Sequence, residues 1–410
     1  MIRQYRTIRE VAAPLMVIKN VVGVTYGELV EIMLPDAAPR LAKVLEVDGD
    51  AAVVQLYENA DGVSIDASKA RFLGRPHQLA VSADMLGRVF DGMGRPVDNG
   101  PEILAEAFCD IAGRPVNPVA RDCPGGFIQI GVSAIDGFAP LVRGQSLPIF
   151  SAPGLPHTRL AAQIARQAKF PEKEKVAVVF AAVGITAEDY DFFMREFGRG
   201  GAIDRMATFV TLADDPPAQR IVVPTVAMTA AEQLAFEHDM DVLVIMTDMM
   251  NHADALREVS AASGETPGRR GYPGCLHAEL ASIYERAGRR VGKSGSVTLL
   301  PILTVPDGDE NHPVADMTGY TTEGRIVLSP DLMRRGVTPP VDVLASSSRF
   351  GGSRGSDDVT DRLFEAYLKK DAEFCDAFEA RFVSQGCDED RTIEETLKIG
   401  RELLESHENL

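Results

Sequence analysis

Cysteine is scarce and badly spaced for chemistry: Cys109, Cys123, Cys275, Cys375 and Cys387 form an odd set with no C-x-x-C pair. That spacing argues against a disulfide framework and a zinc site, and the five read as ordinary thiols. The seven histidines include no H-x-x-x-H pair, so no metal is expected to be held by this chain. Positive charge is short as well. With 42 Lys and Arg against 60 Asp and Glu, a formal charge of −18, nucleic acid is an unsuitable partner, because phosphate binding takes clustered cations. Long apolar runs are missing: stretches such as 176–183 and 242–246 are strand-sized, far below the ~20 residues of a membrane helix. The N-terminus, MIRQYRTIREVAAPLMVIKN, mixes charge with apolar residues and lacks an apolar core before a small-residue cleavage site. A cytoplasmic location is the expectation.

What is present is apolar material in steady supply, 45% of 410 residues, enough for a large core and two or three domains. Between residues 29 and 63, short runs of valine and isoleucine alternate with turn signals, and Asp48-Gly49 stands between two alternating segments as a hairpin signal. This predicts a small antiparallel β-barrel. Residues 87–100, GRVFDGMGRPVDNG, hold four glycines, a proline and an Asn-Gly and read as a linker. From 143 to 306, strands expected at 147–150, 176–182, 207–212, 242–247 and 296–303 alternate with helices such as 159–168, 230–237 and 277–286. Alternation of this kind predicts a parallel sheet covered by helices on both faces. The last 50 or so residues read as helical. Val359, Leu363, Tyr367, Phe374, Phe378 and Phe382 recur at roughly helical spacing, Gly386 is a stop, and Thr392 with Glu395 is a capping box.

The segment LPIFSAPGLPHTR, 147–159, sits where a strand-loop-helix unit would cradle phosphate. Laid on GxxxxGK[ST], Ser151 takes the first glycine, Pro156 the second, His157 the lysine and Thr158 the hydroxyl, with Gly154 inside the loop. Only the threonine and the spacing survive. A phosphate loop needs glycines so that successive N–H groups point at the anion, and a lysine for the β- and γ-phosphates. Proline has no N–H, and histidine is shorter than lysine with no fixed charge near neutrality. Ser151, Gly154, His157 and Thr158 are therefore expected to bind nucleotide weakly or not at all. Asp248 ends the apolar run 242–247 and is either an acid that reaches a nucleotide's magnesium through water or the cap of the next helix.

Taken together, these residues resemble the α/β subunits of rotary ATPases, and within them the non-catalytic B subunit of V-type (A/V-type) enzymes. The likeness is carried by residues 127–168, by MLGRVFDGMGRPVDNGPE, LADDPPAQRI, TDMMNHADALREVSAA, PGRRGYPG and IYERAGR, and by Pro339-Pro-Val-Asp342 with Ser346 and Ser348. That last set fits P-[SAP]-[LIV]-[DNH]-x-x-x-S-x-S at every position.

The resemblance implies an N-terminal β-barrel over 1–72, a RecA-like α/β domain with a degenerate phosphate loop over 73–350, and a helical domain over 351–410. It implies a ring of three plus three subunits, alternating with a catalytic A subunit around a rotor stalk and joined to a peripheral stalk, peripheral to the membrane on its cytoplasmic face. ATP or ADP with magnesium is then expected at the interface with the A subunit, and none on this chain alone. Arg349, directly after the signature, is implied to reach that site in trans, the alternative being an arginine paired to a nearby acid. Ile185 stands where a catalytic sister has the glutamate of G-E-R. Ala345, Phe350 and the glycine-rich FGGSRGSDD depart from the family pattern, which leaves Arg354 as a substitute. Only six residues separate Tyr367 from Phe374, a shortening in the part implied to face the rotor, and a scaffold without the trans role is the alternative function. PGRRGYPG reads either as a loop touching the rotor or a neighbour, or as a rigid turn.

Overall fold

The computed structural model describes residues 3–350 apart from 36, 172–174 and 310. The helical segment expected over 351–410, with Arg354, lies outside the described residues. Seven strands come first: β1 (Arg3–Tyr5), β2 (Ile8–Ala12), β3 (Leu15–Lys19), β4 (Leu29–Met33), β5 (Arg40–Asp48), β6 (Ala51–Leu56) and β7 (Lys69–Phe72). They form one antiparallel sheet in the order β1-β7-β4-β5-β6-β3-β2. The strands alternate inward and outward, and Val30, Ile32, Val44 and Val54 are fully buried in the barrel's own core. Asp48 pairs with Ala51, so the two-residue loop of the hairpin is Gly49-Asp50, one position on from the expected pair. Gly49, at φ +59°, supplies the left-handed conformation such a loop requires.

Two short pieces follow, β8 (Gln78–Val81) and, after β9 (Arg88–Asp91), β10 (Ala107–Asp110), which pairs with β8. Then come β11 (Arg121–Asp122), β12 (Phe127–Ile128), α1 (Ser133–Phe138), β13 (Leu141–Val142), β14 (Ile149–Ser151), α2 (His157–Gln167), β15 (Val176–Ile185) and α3 (Ala187–Gly198). The chain continues through β16 (Met206–Leu212), α4 (Pro217–Phe236), β17 (Asp241–Thr247), α5 (Met249–Ala262), α6 (Leu276–Tyr284) and β18 (Gly288–Arg290). It reaches residue 350 through β19 (Ser296–Thr304), α7 (Pro313–Thr321), β20 (Gly324–Val327), α8 (Pro330–Arg334) and β21 (Ser347–Ser348). The central sheet runs β21-β20-β14-β19-β17-β15-β16-β9 and is parallel along that path except where β21 meets β20; beside it β18 pairs antiparallel with β19, and β11 with β18. Helices α2 and α3 cover one face and α4 to α7 the other. Strands β15 and β17 are buried almost throughout, as a sheet covered on both faces demands.

Two expectations need correction. Residues 87–100 are no linker: they contain β9, an edge strand parallel to β16, and Phe90 is fully buried and stacked on Phe209 at 5.1 Å between ring centres. Gly92 there serves close packing, since a Cβ on it would lie 2.5 Å from Thr211 Cγ2. The helix expected over 230–237 is the last part of α4, which starts thirteen residues earlier at Pro217. Being apolar on nearly every face, α4 has no polar stripe to reveal its period, and Pro217 occupies the first helical turn, where its missing N–H is harmless.

Two buried histidines give the fold a pH dependence. Burial pushes His252 down to about 4, and burial together with the charge of Arg95 does the same to His77. An unfolded chain takes up these protons near pH 6.5, whereas the folded chain refuses them until about pH 4. Their contribution is therefore complete above 6.5 and shrinks as pH falls from there toward 4. The melting temperature is expected to drop over that window, and His252→Gln, which cannot titrate, to flatten the drop. An identical pH slope for the variant would contradict this.

Candidate functional site

At the carboxyl end of the sheet, where ligands of open α/β folds are held, β14 runs into the loop 152–156 and α2 begins at His157. The loop spends two of its own donors. Leu155 N–H donates to Ala152 O at 3.1 Å and His157 N–H to Leu155 O at 2.9 Å, while Pro153 and Pro156 have none to give. The imidazole is tied as well. Its Nδ1 lies 3.1 Å from Leu155 O and 3.4 Å from Ser151 Oγ, and its Nε2 lies 3.3 Å from Thr304 Oγ1 on β19. A carbonyl only accepts, so Nδ1–H donates to Leu155 and Nε2 accepts from the Thr304 hydroxyl. Ser151 and His157 thus meet, Thr158 sits in the first turn of α2, and Gly154, at φ +87°, faces open space. This set does not fit a tight grip on a nucleotide's phosphates.

The neighbouring acid is engaged in the same way. Asp248 caps α5 by accepting from Met250 N–H at 2.8 Å and accepts from Thr304 N–H at 2.9 Å through its other oxygen. Burial raises the carboxyl's pKa. The capping role is present in the geometry. Ile185 ends β15 in the apolar core, 7% exposed, and offers no proton acceptor there.

Restoring the grip takes more than one residue, because two of the loop's amides and the side chain are committed and its prolines have no N–H. His157→Lys with Pro156→Gly is expected to raise affinity for a fluorescent ATP analogue at least ~10-fold over the native chain, in line with one or two recovered charge-assisted bonds. His157→Lys alone should gain far less; equal gains from the two would contradict the account of the loop.

Arg349 lies elsewhere. Strand β21 pairs with β20, and Arg349 N–H donates to Glu323 O at 3.0 Å, which roots the residue on the sheet edge while its side chain stays exposed. The guanidinium makes no hydrogen bond or ion pair among the described residues. It lines a cavity of about 700 Å³ together with Ser151, Ala152, Tyr320 and Ser329; Gly154, His157 and Thr158 do not line it. Glu323, whose carboxyl burial pushes up, feels the opposing charges of Arg121 and Arg349. Sequence spacing marks none of Thr304, Glu323 and Gln145, whose roles arise from strands brought together by the fold.

The 267–274 loop is pinned at several points. Arg269 bonds Asn311 O and Asp316, Arg270 bonds Asp309, and buried Tyr272 donates to Asp254 beneath Arg257. It is a rigid turn.

The chain matches the model of the ATP synthase alpha/beta family, nucleotide-binding domain, over residues 131–348. Residues 8–74 match the family's beta-barrel domain. Among solved structures, a unique ATP synthase subunit, NeqB, from Nanoarcheaum equitans is 37% identical, with a TM-score of 0.76 over 96% of this chain and 99% of that one.

Proposed function

The chain belongs to the ATP synthase alpha/beta family, and from that membership we propose that it is the regulatory, non-catalytic B-type subunit of a rotary V-type proton-translocating ATPase or ATP synthase. One observation carries the reading: in the chain's own phosphate loop Leu155 N–H, His157 N–H and the His157 imidazole are bonded within the protein, while Arg349, whose guanidinium has no partner among the described residues, lines a cavity that also touches Ser151 and Ala152. Membership in the family implies assembly with other ATPase subunits. In this proposal the partner is a catalytic A subunit with an intact phosphate loop, alternating three and three around a central rotor stalk, with a peripheral stalk outside.

Arg349 then works on the neighbour's substrate, Mg-ATP. A guanidinium aimed at the γ-phosphate offsets the charge that spreads over the transferred group as its bond breaks, and it needs no proton transfer to do so. Among the described residues no helix is long and apolar enough to cross a membrane, so attachment at the cytoplasmic face is proposed to come through the complex. The purified chain alone is expected to hydrolyse no ATP. Mixed with a companion subunit that carries GxxxxGK[ST] and G-E-R, it should form a ring on native mass spectrometry and turnover should appear. Steady hydrolysis by the chain alone would overturn the assignment.

A further inference from the structure

We propose that Gln145 is a positioning residue for Arg349, acting through Ser348 and the Glu323 carbonyl; this rests on the trans role proposed above. Gln145 is fully buried in the turn after β13. Its main chain is fixed on both sides, N–H to Val142 O at 3.2 Å and carbonyl from Leu299 N–H at 2.9 Å. Its side-chain amide is used at both ends. Oε1 accepts from Val142 N–H at 3.2 Å, and Nε2 donates to Glu323 O at 2.9 Å and to Ser348 Oγ at 2.8 Å. The orientation is fixed by chemistry, since a flipped amide would set two oxygens against each other at Glu323.

The two targets of Nε2 flank the arginine's root. Ser348 precedes Arg349 and passes its own hydroxyl hydrogen to Pro140 O at 2.9 Å. The Glu323 carbonyl that receives Gln145 also receives the Arg349 N–H at 3.0 Å. Gly324 lets the strands close this far: a Cβ there would lie 2.3 Å from Ser347 O and 2.9 Å from Ser348 Cα. One buried amide thus ties the residue before Arg349 and the acceptor of Arg349's own N–H to the sheet. The exposed guanidinium swings from a fixed base.

Positioning of this kind raises the rate by narrowing the positions the charged group samples, and misplacement by about 1 Å can cost ~10²-fold. In the reconstituted ring, Gln145→Leu is expected to lower kcat by roughly 10- to 100-fold with KM for ATP changed less than about threefold. Ser348→Ala should lower kcat less, and Ser348→Thr, which keeps the hydroxyl, should restore it. Under single-turnover conditions, adding Gln145→Leu to Arg349→Ala should bring no further loss. Ser348→Ala and Ser348→Thr carry the test if Gln145→Leu melts early as an isolated chain. Native kcat for both Gln145→Leu and Ser348→Ala, beside a collapsed Arg349→Ala, overturns the inference, as does an undiminished effect of Gln145→Leu in the Arg349→Ala background. Native turnover for Arg349→Ala overturns the trans reading instead, and this inference with it.

Discussion

Arg349→Ala in the reconstituted ring is expected to lower ATP turnover by about 10³-fold or more, the scale on which arginine fingers act, while the ring still assembles. The loss should fall on kcat, because the guanidinium's work grows as charge develops in the transition state. Assembly should survive because the side chain is exposed and bonds to nothing among the described residues, so no buried partner is stranded by its removal. Arg349→Lys is expected to recover only a small part: an ammonium on a shorter stem replaces a planar fork with two parallel donors. The companion variant Arg354→Ala should leave turnover near native. Turnover of Arg349→Ala within about threefold of native, with Arg354→Ala collapsed, would move the trans role to Arg354. If both stay near native, the chain is a scaffold that supplies no charge to its neighbour.

The central sheet was legible because β15, β16, β17 and β19 are buried on both faces and bounded by turns, so each appears in the sequence as a mainly apolar run of strand length. Where burial removed contrast, legibility failed. The start of α4 vanished into an all-apolar stretch, and Gly92 and Gly94 looked like linker residues although Thr211 and Leu79 crowd them. The damaged phosphate loop could be read from the residues missing at 151, 156 and 157. What fills the gap could not, since Thr304, whose hydroxyl donates to the imidazole, stands on a strand far along the chain. The same holds for the seat of Arg349. The signature containing Ser346 and Ser348 marks the segment, but Gln145 and Glu323 join it only through β14, β19 and β20 lying side by side.

Arg286→Ala should lower stability by about 3–5 kcal/mol, the cost of breaking a buried ion pair by removing one partner. Arg286 is fully buried and uses each of its five N–H donors. Nε and Nη2 grip the Glu232 carboxylate at 3.0 and 2.8 Å, Nη1 donates to Ile111 O and Thr225 O at 3.1 and 3.2 Å, and Nη2 also donates to Thr229 Oγ1 at 2.9 Å. These bonds join the turn after α6, the middle of α4 and the loop after β10. Gly113 on that loop takes φ +56°, and a Cβ there would lie 2.3 Å from the guanidinium carbon. Removing the guanidinium strands Glu232, 16% exposed, with Arg290 at 3.8 Å as its one remaining cation among the described residues, and leaves two carbonyls without that donor. Arg286→Lys cannot repair this, because three donors at one point cannot reach five acceptors spread around a plane. Arg286→Leu combined with Glu232→Leu should recover part of the loss, because charge is removed together with its partner. Urea unfolding of the isolated chain measures all three variants. A shift below about 1 kcal/mol for Arg286→Ala would mean that water enters the site and replaces the lost donors, a different account of why an arginine is buried here.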